Sequence, residues 1–394
     1  MAAQASAEGL AVGVCLGDLG WDSVDLMNPL YKQALSGICI PMYPVIGNHD
    51  FNRAKKGRDS RRDYEASFGP VNYAFYLGQD LVIVLKDIIY DTDKKYKEGY
   101  TDEELDFVRN LLAFVPEDRH IFIAQHSPLY RWFNGKDIVA GDDMLAILQG
   151  RKVDFICGHT HISNHLVYSD DIVEHNPASI CGSWWDTVWC NDGTPRGYTV
   201  FSRKGGELSW HYHMLDFDDD FQVNIIKPGQ SRMHPNSVVA NIWDYDDAWS
   251  VKWYQDGALM GDMVQVADTD PEYIREINKV FEGKDIPKFK QPRLNVHYFA
   301  ATPSPYASSV TVEVTSRFGK SWKYDVDLKT CLDVQAHRGG AGLMPEDTEP
   351  AMKNAIDLGC NTLELDLQLS SDGQVVVFHD DDLKRVCGLD KRVD

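Results

Sequence analysis

Apolar and polar residues alternate along this chain in short blocks, and four of the apolar blocks end in the same kind of side chain. Leu10 to Leu16 runs into Gly17-Asp18, and Met42 to Ile46 into Gly47-Asn48-His49-Asp50. Ile121 to Ala124 leads to His126, and Phe155 to Cys157 leads to Gly158-His159-Thr160-His161. An apolar run of this length, stopped by Gly and polar turn residues, reads as a buried strand. Its C-terminal end is where an open α/β sheet places its chemistry. Between these runs the period becomes helical. Val24 to Leu35 stops at Ser36-Gly37, Thr101-Asp102-Glu103-Glu104 is a capping box for a helix through Leu112, and Asp142 to Gln149 is a short helix. Tyr73 to Tyr76 and Leu81 to Leu85 read as paired strands. Leu166 to Tyr168, Ile172 to Glu174, Tyr198 to Phe201 and Leu208 to His213 read as antiparallel ones. Residues 1 to 213 are thus predicted to form a mixed α/β sheet or sandwich.

From 214 to 330 the segments shorten: Val238 to Ile242, Ser250 to Trp253, Val264 to Val266, Leu294 to Phe299, Val310 to Val314 and Trp322 to Val326. One helix, Pro271 to Phe281, starts at Asp270. This pattern predicts a small β-sandwich. The acidic run Asp216 to Asp220 that precedes it fits no calcium-loop spacing and reads as a solvated linker. From 333 to 394 the strand and helix order returns. Asp333 to Ala336 ends in His337-Arg338-Gly339-Gly340, a helix covers Glu349 to Leu358, and Val375 to Phe378 delivers His379-Asp380. A strand over Thr362 to Leu369 puts Glu364 and Asp366 on one face, where buried acids need a partner.

Composition narrows the function. The 394 residues suffice for two or three domains. A net charge of −21 argues against binding nucleic acid through its phosphates and against adsorption to anionic membranes. No stretch reaches transmembrane length, and Met1 to Gly9 lacks the regions of a signal peptide. The eight cysteines form no C-x-x-C pair and read as mostly free thiols. One basic cluster, Arg53, Lys55, Lys56, Arg58, Arg61 and Arg62, follows the Asn48-His49 turn and reads either as a solvated face or as a phosphate-attracting rim. Trp184, Trp185 and Trp189 read either as packing or as an aromatic wall. Asp22 is a candidate neighbour of Asp18, while His165, His175, His211 and His213 read as structural.

Asp, Asn and His are donors for borderline divalent metals such as Zn, Mn, Fe or Ni. Each alone is an ordinary turn residue, but independent turns have no reason to present only metal-type side chains. A bridging carboxylate can hold two ions about 3.5–4 Å apart, which clamp a phosphate and acidify a shared water. On these motifs, in this order, residues 14 to 213 resemble the calcineurin-like metallophosphoesterase superfamily. The resemblance implies a four-layer αββα fold with a dinuclear centre of Mn, Fe, Zn or Ni. Asp18 would bridge the two metals, Asn48, His126 and His159 would complete one site, and His161 would serve the other. His49 would face the substrate phosphate with Asp50 orienting it, and a metal-bridging hydroxide would be the nucleophile. The family opens with a strand ending in Asp-x-His, which is absent here before Gly17. The domain is therefore expected to lack its first strand, and the first metal to keep only Asp18 and His161. Met1 is expected to be an internal start, with the native protein beginning earlier.

Residues 214 to 330 resemble the C-terminal sandwich of certain bacterial calcineurin-like phosphoesterases, on Asn241-Ile242-Trp243-Asp244 and Trp253 to Gly257. Residues 333 to 394 resemble the first quarter of a glycerophosphodiester phosphodiesterase, a TIM-barrel family. There the resemblance makes His337 and His379 the acid/base pair, Arg338 a phosphate contact, and Glu364 and Asp366 ligands of Ca or Mg. The family usually has Asn where Asp347 stands. A partial barrel cannot close its sheet, so this segment is expected to be inactive in these 394 residues. The combined expectation is a metal-dependent phosphoester hydrolase from a longer bifunctional protein. Its barrel would cleave a glycerophosphodiester and its first domain would act on a small phosphoester. No nucleic-acid partner and no membrane span are expected, and relatives with this C-terminal domain imply a periplasmic or secreted full-length parent. The missing Asp-x-His motif supports an alternative, a catalytically impaired metal- or phosphate-binding remnant.

Overall fold

The computed structural model describes residues 9–90, 95–131, 135–328, 334–360 and 362–393. Met1 to Glu8, Cys331 and Asp333 of the segments above lie outside the described residues. Strands β1 (Gly13–Cys15) and β2 (Met42–Pro44) pair in parallel across the helix α1 (Val24–Ser36). The chain then forms α2 (Arg62–Phe68), β3 (Tyr73–Leu77), β4 (Asp80–Val84), a ladder of β5 (Ile88–Tyr90) with β6 (Tyr96–Glu98), and α3 (Asp102–Leu112). Next come β7 (Ile121–Ala124), a ladder of β8 (Tyr130–Arg131) with β9 (Lys136–Asp137), α4 (Gly141–Ile147), β10 (Val153–Ile156), β11 (Asn164–Ser169) and β12 (Ile172–Asn176). A six-stranded sheet runs in the order β11-β12-β10-β7-β4-β3, parallel at its centre and antiparallel at both edges. The predicted capping box at Thr101 and Glu104 is present.

Both faces of the central strands are covered, which is why they read as continuous apolar runs. Ile83, Ile123 and Phe155 pack under Val108 and Leu112 of α3 and Met144 of α4. Val84 and Ala124 face Val14, Leu16 and Val45 around the β1–β2 pair. The far side of that pair meets Tyr31, Tyr64 and Phe68 of α1 and α2. Hairpin β13 (Gly197–Lys204) and β14 (Glu207–Met214) lies beside it, with Phe201 edge-on to Phe122.

Eight strands build the sandwich: β15 (Val223–Ile226), β16 (Val238–Ile242), β17 (Ser250–Gln255), β18 (Ala258–Asp262), β19 (Val264–Asp268), β20 (Asn295–Ala301), β21 (Ser309–Thr315) and β22 (Ser321–Asp327). Two four-stranded sheets, β15-β16-β20-β19 and β18-β17-β21-β22, enclose Val238, Ala240, Phe299, Val310, Val312 and Val314. Strand β18 escaped the sequence reading because it is exposed almost throughout, Leu259 and Met260 included, and buries no face. Helix α5 (Pro271–Val280) places Tyr273 and Ile277 against Trp189, Tyr212 and Trp243, which joins the two units. In the last stretch, β23 (Gln335–Ala336) pairs with β24 (Thr362–Leu363), α6 (Glu349–Asp357) lies between them, and β25 (Leu367–Leu369) pairs with β26 (Val375–Val377). The single strand expected over Thr362 to Leu369 is broken because the chain changes partners. Glu364 is bonded to Ala336 and Gly339, whereas Asp366 already accepts from Phe378. Cys15, Cys157, Cys181, Cys190, Cys360 and Cys387 are free thiols, and no helix among the described residues is long and apolar enough to cross a membrane.

His165 and His175 are structural, as read. Asp154 accepts from His120 Nε2 and His175 Nε2, each at 2.6 Å. His175 Nδ1 lies 2.8 Å from His165 Nδ1, and His165 Nε2 lies 3.0 Å from Asp244 Oδ1. This buried line ties the six-stranded sheet to the loop after β16. Burial opposes the Asp154 charge, but its two histidine partners bring its pKa down to about 2. A depressed carboxylate stabilises the fold fully above its unfolded value of about 3.9, and that contribution is lost as pH falls through the folded value. Asp154→Asn is expected to cost about 3 kcal/mol at pH 6, with a gap to the parent that narrows by pH 3. Urea denaturation across that range checks it, and a gap independent of pH would show that the charge plays no part.

Candidate metal centre

The turns after β1 and β2 lie side by side because those strands are parallel neighbours. Gly17 has φ 90°, and a Cβ on it would fall 2.5 Å from His126 Nδ1, while one on Gly47 would strike the amide and carboxylate of Asp18. The buried Asp50 carboxylate accepts from the amides of Gly47 at 2.7 Å, Leu19 at 2.8 Å and Asp18 at 2.9 Å. Burial and the neighbouring Asp18 charge push its pKa up to about 7. This corrects the role expected of Asp50. Its oxygens are engaged by three amides, and His49 is oriented by Asp22 instead. His49 Nδ1 lies 2.8 Å from Asp22 Oδ1, and the ring stacks on Trp21 at 4.3 Å.

His126 Nδ1 donates to the Leu16 carbonyl at 2.6 Å, which turns Nε2 inward. Nε2 then lies 2.9 Å from His159 Nδ1, 3.2 Å from Asn48 Oδ1 and 3.4 Å from Asp18 Oδ2. The other His159 nitrogen faces Glu98 Oε1 at 3.5 Å. Four ligand-type atoms thus converge on one space, an arrangement that could hold a cation. Asp18, His126 and His159 each place a ligand atom within 4.8 Å of the others. His161 stands beside them in the left-handed region at φ 56°, stacked on Trp184 at 4.4 Å. Its Nδ1 is buried without a hydrogen-bond partner. A carboxylate, an amide oxygen and imidazoles fit borderline divalent metals. Burial pushes His159 down to about 3 and His161 to about 4, so both rings are neutral at pH 7. Burial opposes charge on Asp18 and His126 as well, yet their mutual attraction holds Asp18 well below the usual carboxylate range and raises His126 to about 9.

Several supporting residues carry no sequence signal. Glu98 ends the short strand β6, is held by Arg131 at 2.6 Å and Lys136 at 2.5 Å, and braces His159. Asp87 accepts from the His126 amide at 3.1 Å. Asp192 accepts from the Ser163 amide at 2.8 Å and from Asn295 of the sandwich at 3.0 Å, which braces the histidine loop from behind. Of the basic cluster, Arg53 reaches the site, 2.8 Å from Asp22. Lys55, Arg61 and Arg62 are neutralised by Asp63, Glu103 and Asp59, so they do not form a rim. Trp189 is core at 5% exposure and Trp185 is 72% exposed, so Trp184 is the tryptophan of that cluster at the site. Phe289, from the sandwich unit, lies 4.9 Å from Trp184 and 6.2 Å from Trp21.

The last stretch gathers Arg338, Glu364 and Asp366. The Arg338 amide donates to Glu364 Oε2 at 2.8 Å, and its guanidinium lies 3.2 Å from both Asp366 and Glu346. His337 is exposed, and His379, also exposed, joins that group through Asp380, Arg385 and Glu346.

Fold and cluster together define an α/β domain with a candidate metal centre, joined to a β-sandwich. A family model for calcineurin-like phosphoesterase matches residues 9–163, one for the C terminal of calcineurin-like phosphoesterase matches residues 174–322, and one for the glycerophosphoryl diester phosphodiesterase family matches residues 337–394. The chain thus carries the calcineurin-like phosphoesterase domain with its C-terminal domain, followed by a glycerophosphoryl diester phosphodiesterase segment. Both are families of hydrolases that act on phosphoesters. Lysophospholipase D GDPD1 of Homo sapiens is 45% identical over 58 residues, 15% of this chain and 18% of that protein. A glycerophosphodiester phosphodiesterase of Caldanaerobacter subterraneus subsp. tengcongensis is 48% identical over 52 residues, 13% of this chain and 21% of that protein. The chain therefore spans about a fifth of the length of these curated relatives. The crystal structure of a dimetal phosphatase from Danio rerio is similar over 45% of this chain and 75% of that one, at 16% identity and a TM-score of 0.36.

Asp50→Asn turns one acceptor into a donor facing backbone amides. It is expected to cost about 1–3 kcal/mol in chemical denaturation and to weaken metal binding together with it. Unchanged stability with lowered activity would restore Asp50 as the orienting partner of His49.

Proposed function

We propose that residues 1 to 213 act as a metal-dependent phosphoester hydrolase with a dinuclear centre. The observation that carries this reading is the convergence of Asp18 Oδ2, Asn48 Oδ1, His126 Nε2 and His159 Nδ1 on one space, beside the orphaned Nδ1 of His161. Asn48, His126 and His159 would hold one divalent ion, His161 the other, and Asp18 both. The helix, sheet, sheet, helix packing supports a four-layer domain around them. Such ions supply Lewis acidity toward phosphoryl oxygens and a nucleophile at neutral pH. Asp50 fixes the separation of the Asp18 and Asn48 turns. Asp22 fixes the His49 ring through Nδ1, which leaves Nε2 as the atom that would exchange a proton with the leaving oxygen. Trp21, Trp184 and Phe289 form an apolar wall that sheds water and seats an aromatic or apolar leaving group.

Residues 214 to 330 shape the entrance through Phe289. For residues 333 to 394 the reading is a glycerophosphodiesterase segment, with Glu364 and Asp366 as the groups that would hold Ca or Mg. One observation favours the second reading, binding of metal or phosphate without turnover. Among the described residues the compact ligand group consists of Asp18, His126 and His159, and beyond the shared Asp18 it leaves His161 for a second ion.

Metal content per folded chain, taken with hydrolysis of an aryl phosphate monoester and diester, separates the two. Two ions at the Asp18 centre, with turnover reduced more than about 100-fold in His159→Ala, support the hydrolase. One ion or none at that centre, with no turnover, supports the binding module. In an active chain Phe289→Ala is expected to raise KM for the aryl ester about 5-fold, the loss of about 1 kcal/mol of ring contact, with kcat unchanged. Diester hydrolysis is expected to survive His379→Ala, and its loss there would show that residues 333 to 394 turn over substrate in this chain.

A further inference from the structure

We propose a second transition-metal site, formed by His211, His213 and Asp219, where the chain leaves the α/β unit for the sandwich. His211 and His213 are two apart on β14, so their side chains stand on one face of the hairpin. Asp219 returns to that face from the loop after β14, with its Oδ1 2.7 Å from His213 Nδ1. One ligand atom from each of the three lies within 4.8 Å of the others. Around a tetrahedral ion with bonds of about 2.1 Å, ligand atoms sit about 3.4 Å apart. Small rotations of His211 and Asp219, both exposed, close that difference and leave a fourth position open to water.

The surroundings single out Asp219 within the acidic run. Asp216 is engaged by Arg196 at 2.6 and 2.8 Å, Asp220 by Lys320 at 2.8 Å, and Asp218 accepts from the Asp220 amide at 3.0 Å. Asp219 turns to the histidines instead. Its backbone is held in place by the buried Gln222 side chain, which donates to the Asp219 carbonyl at 2.9 Å and to the Tyr212 carbonyl at 3.1 Å. Tyr212 sits between the two histidines, so the loop is pinned to the strand that carries the other two ligands. Two imidazoles and a carboxylate select Zn, Ni or Cu over Ca or Mg. The ion clips the linker that leads into β15, and the site shares no residue with the Asp18 centre.

The test uses the full chain stripped of metal and titrated with Zn2+ by calorimetry, and with Co2+ followed by visible absorption. The parent is compared with His211→Ala, Asp219→Asn and His159→Ala. Both His211→Ala and Asp219→Asn are expected to lose one Zn2+ equivalent, or to weaken that class of sites more than about 10-fold. Neither should change aryl phosphate hydrolysis or the ions that His159→Ala removes. Because His211 is exposed, its variant is expected to keep the parent circular dichroism spectrum. The same number of ions at the same affinity in the parent and in His211→Ala overturns the proposal. So does a loss confined to Asp219→Asn, which would report only the ion pair of Asp219 with His213.

Discussion

The amides of Gly47, Asp18 and Leu19 share one buried carboxylate, that of Asp50. Strands β1 and β2 are three residues each, too short to fix the turns that follow them by ladder bonds alone. Asp50 does what the ladder cannot. It clamps the Gly17-Asp18 turn to the Gly47-Asn48 turn, and the two glycines let the backbones approach so closely that a Cβ on either would collide with the neighbouring turn or with His126. The Asp18 carboxylate in turn receives the His49 amide at 2.9 Å. Without this clamp, Asp18 and Asn48 would sit at the ends of two independent loops, and the convergence on His126 Nε2 would be lost.

The sandwich is a second frame for the same site. Asn295 of β20 reaches both the Ser163 carbonyl, at 3.1 Å, and Asp192. Tyr298 donates to the Asp192 carbonyl at 2.7 Å, and Asn241 to the Gly193 carbonyl at 3.0 Å. These bonds stiffen the loop behind His161 from outside the α/β unit. The same unit supplies Phe289 to the aromatic group at the entrance. A domain without a catalytic constellation of its own therefore acts on the site by buttressing and by walling it.

Much of this was legible because it depends on local pattern. Apolar runs that end in Gly-Asp, Gly-Asn-His-Asp or Gly-His-Thr-His announce both a strand and the donors at its tip, so Asp18, Asn48, His126 and His159 could be named before they were seen together. Glu98, Asp87 and Asp192 could not. Glu98 and Asp192 are lone acids among polar residues and Asp87 interrupts an apolar run, and the burial of each arises from packing across distant segments. Asp50 was legible as a site residue and misread in role, because adjacency in sequence to His49 says nothing about where a carboxylate turns. The basic residues after His49 suggested a rim for the same reason, since the partners that neutralise Lys55 and Arg61 become visible only in three dimensions.

The sequence by itself determined the order of elements, the sandwich that follows the α/β unit, and the chemical type of the donors, because periodicity, turn chemistry and side-chain identity are local properties. The tertiary structure decided which donors share a space, that Asp22 rather than Asp50 holds His49, that of the clustered tryptophans Trp184 stacks on the His161 ring, and that Asp219 meets His213. Those outcomes depend on strand neighbours brought together by sheet order and on turns locked by buried hydrogen bonds, and neither is written in the local pattern around each residue.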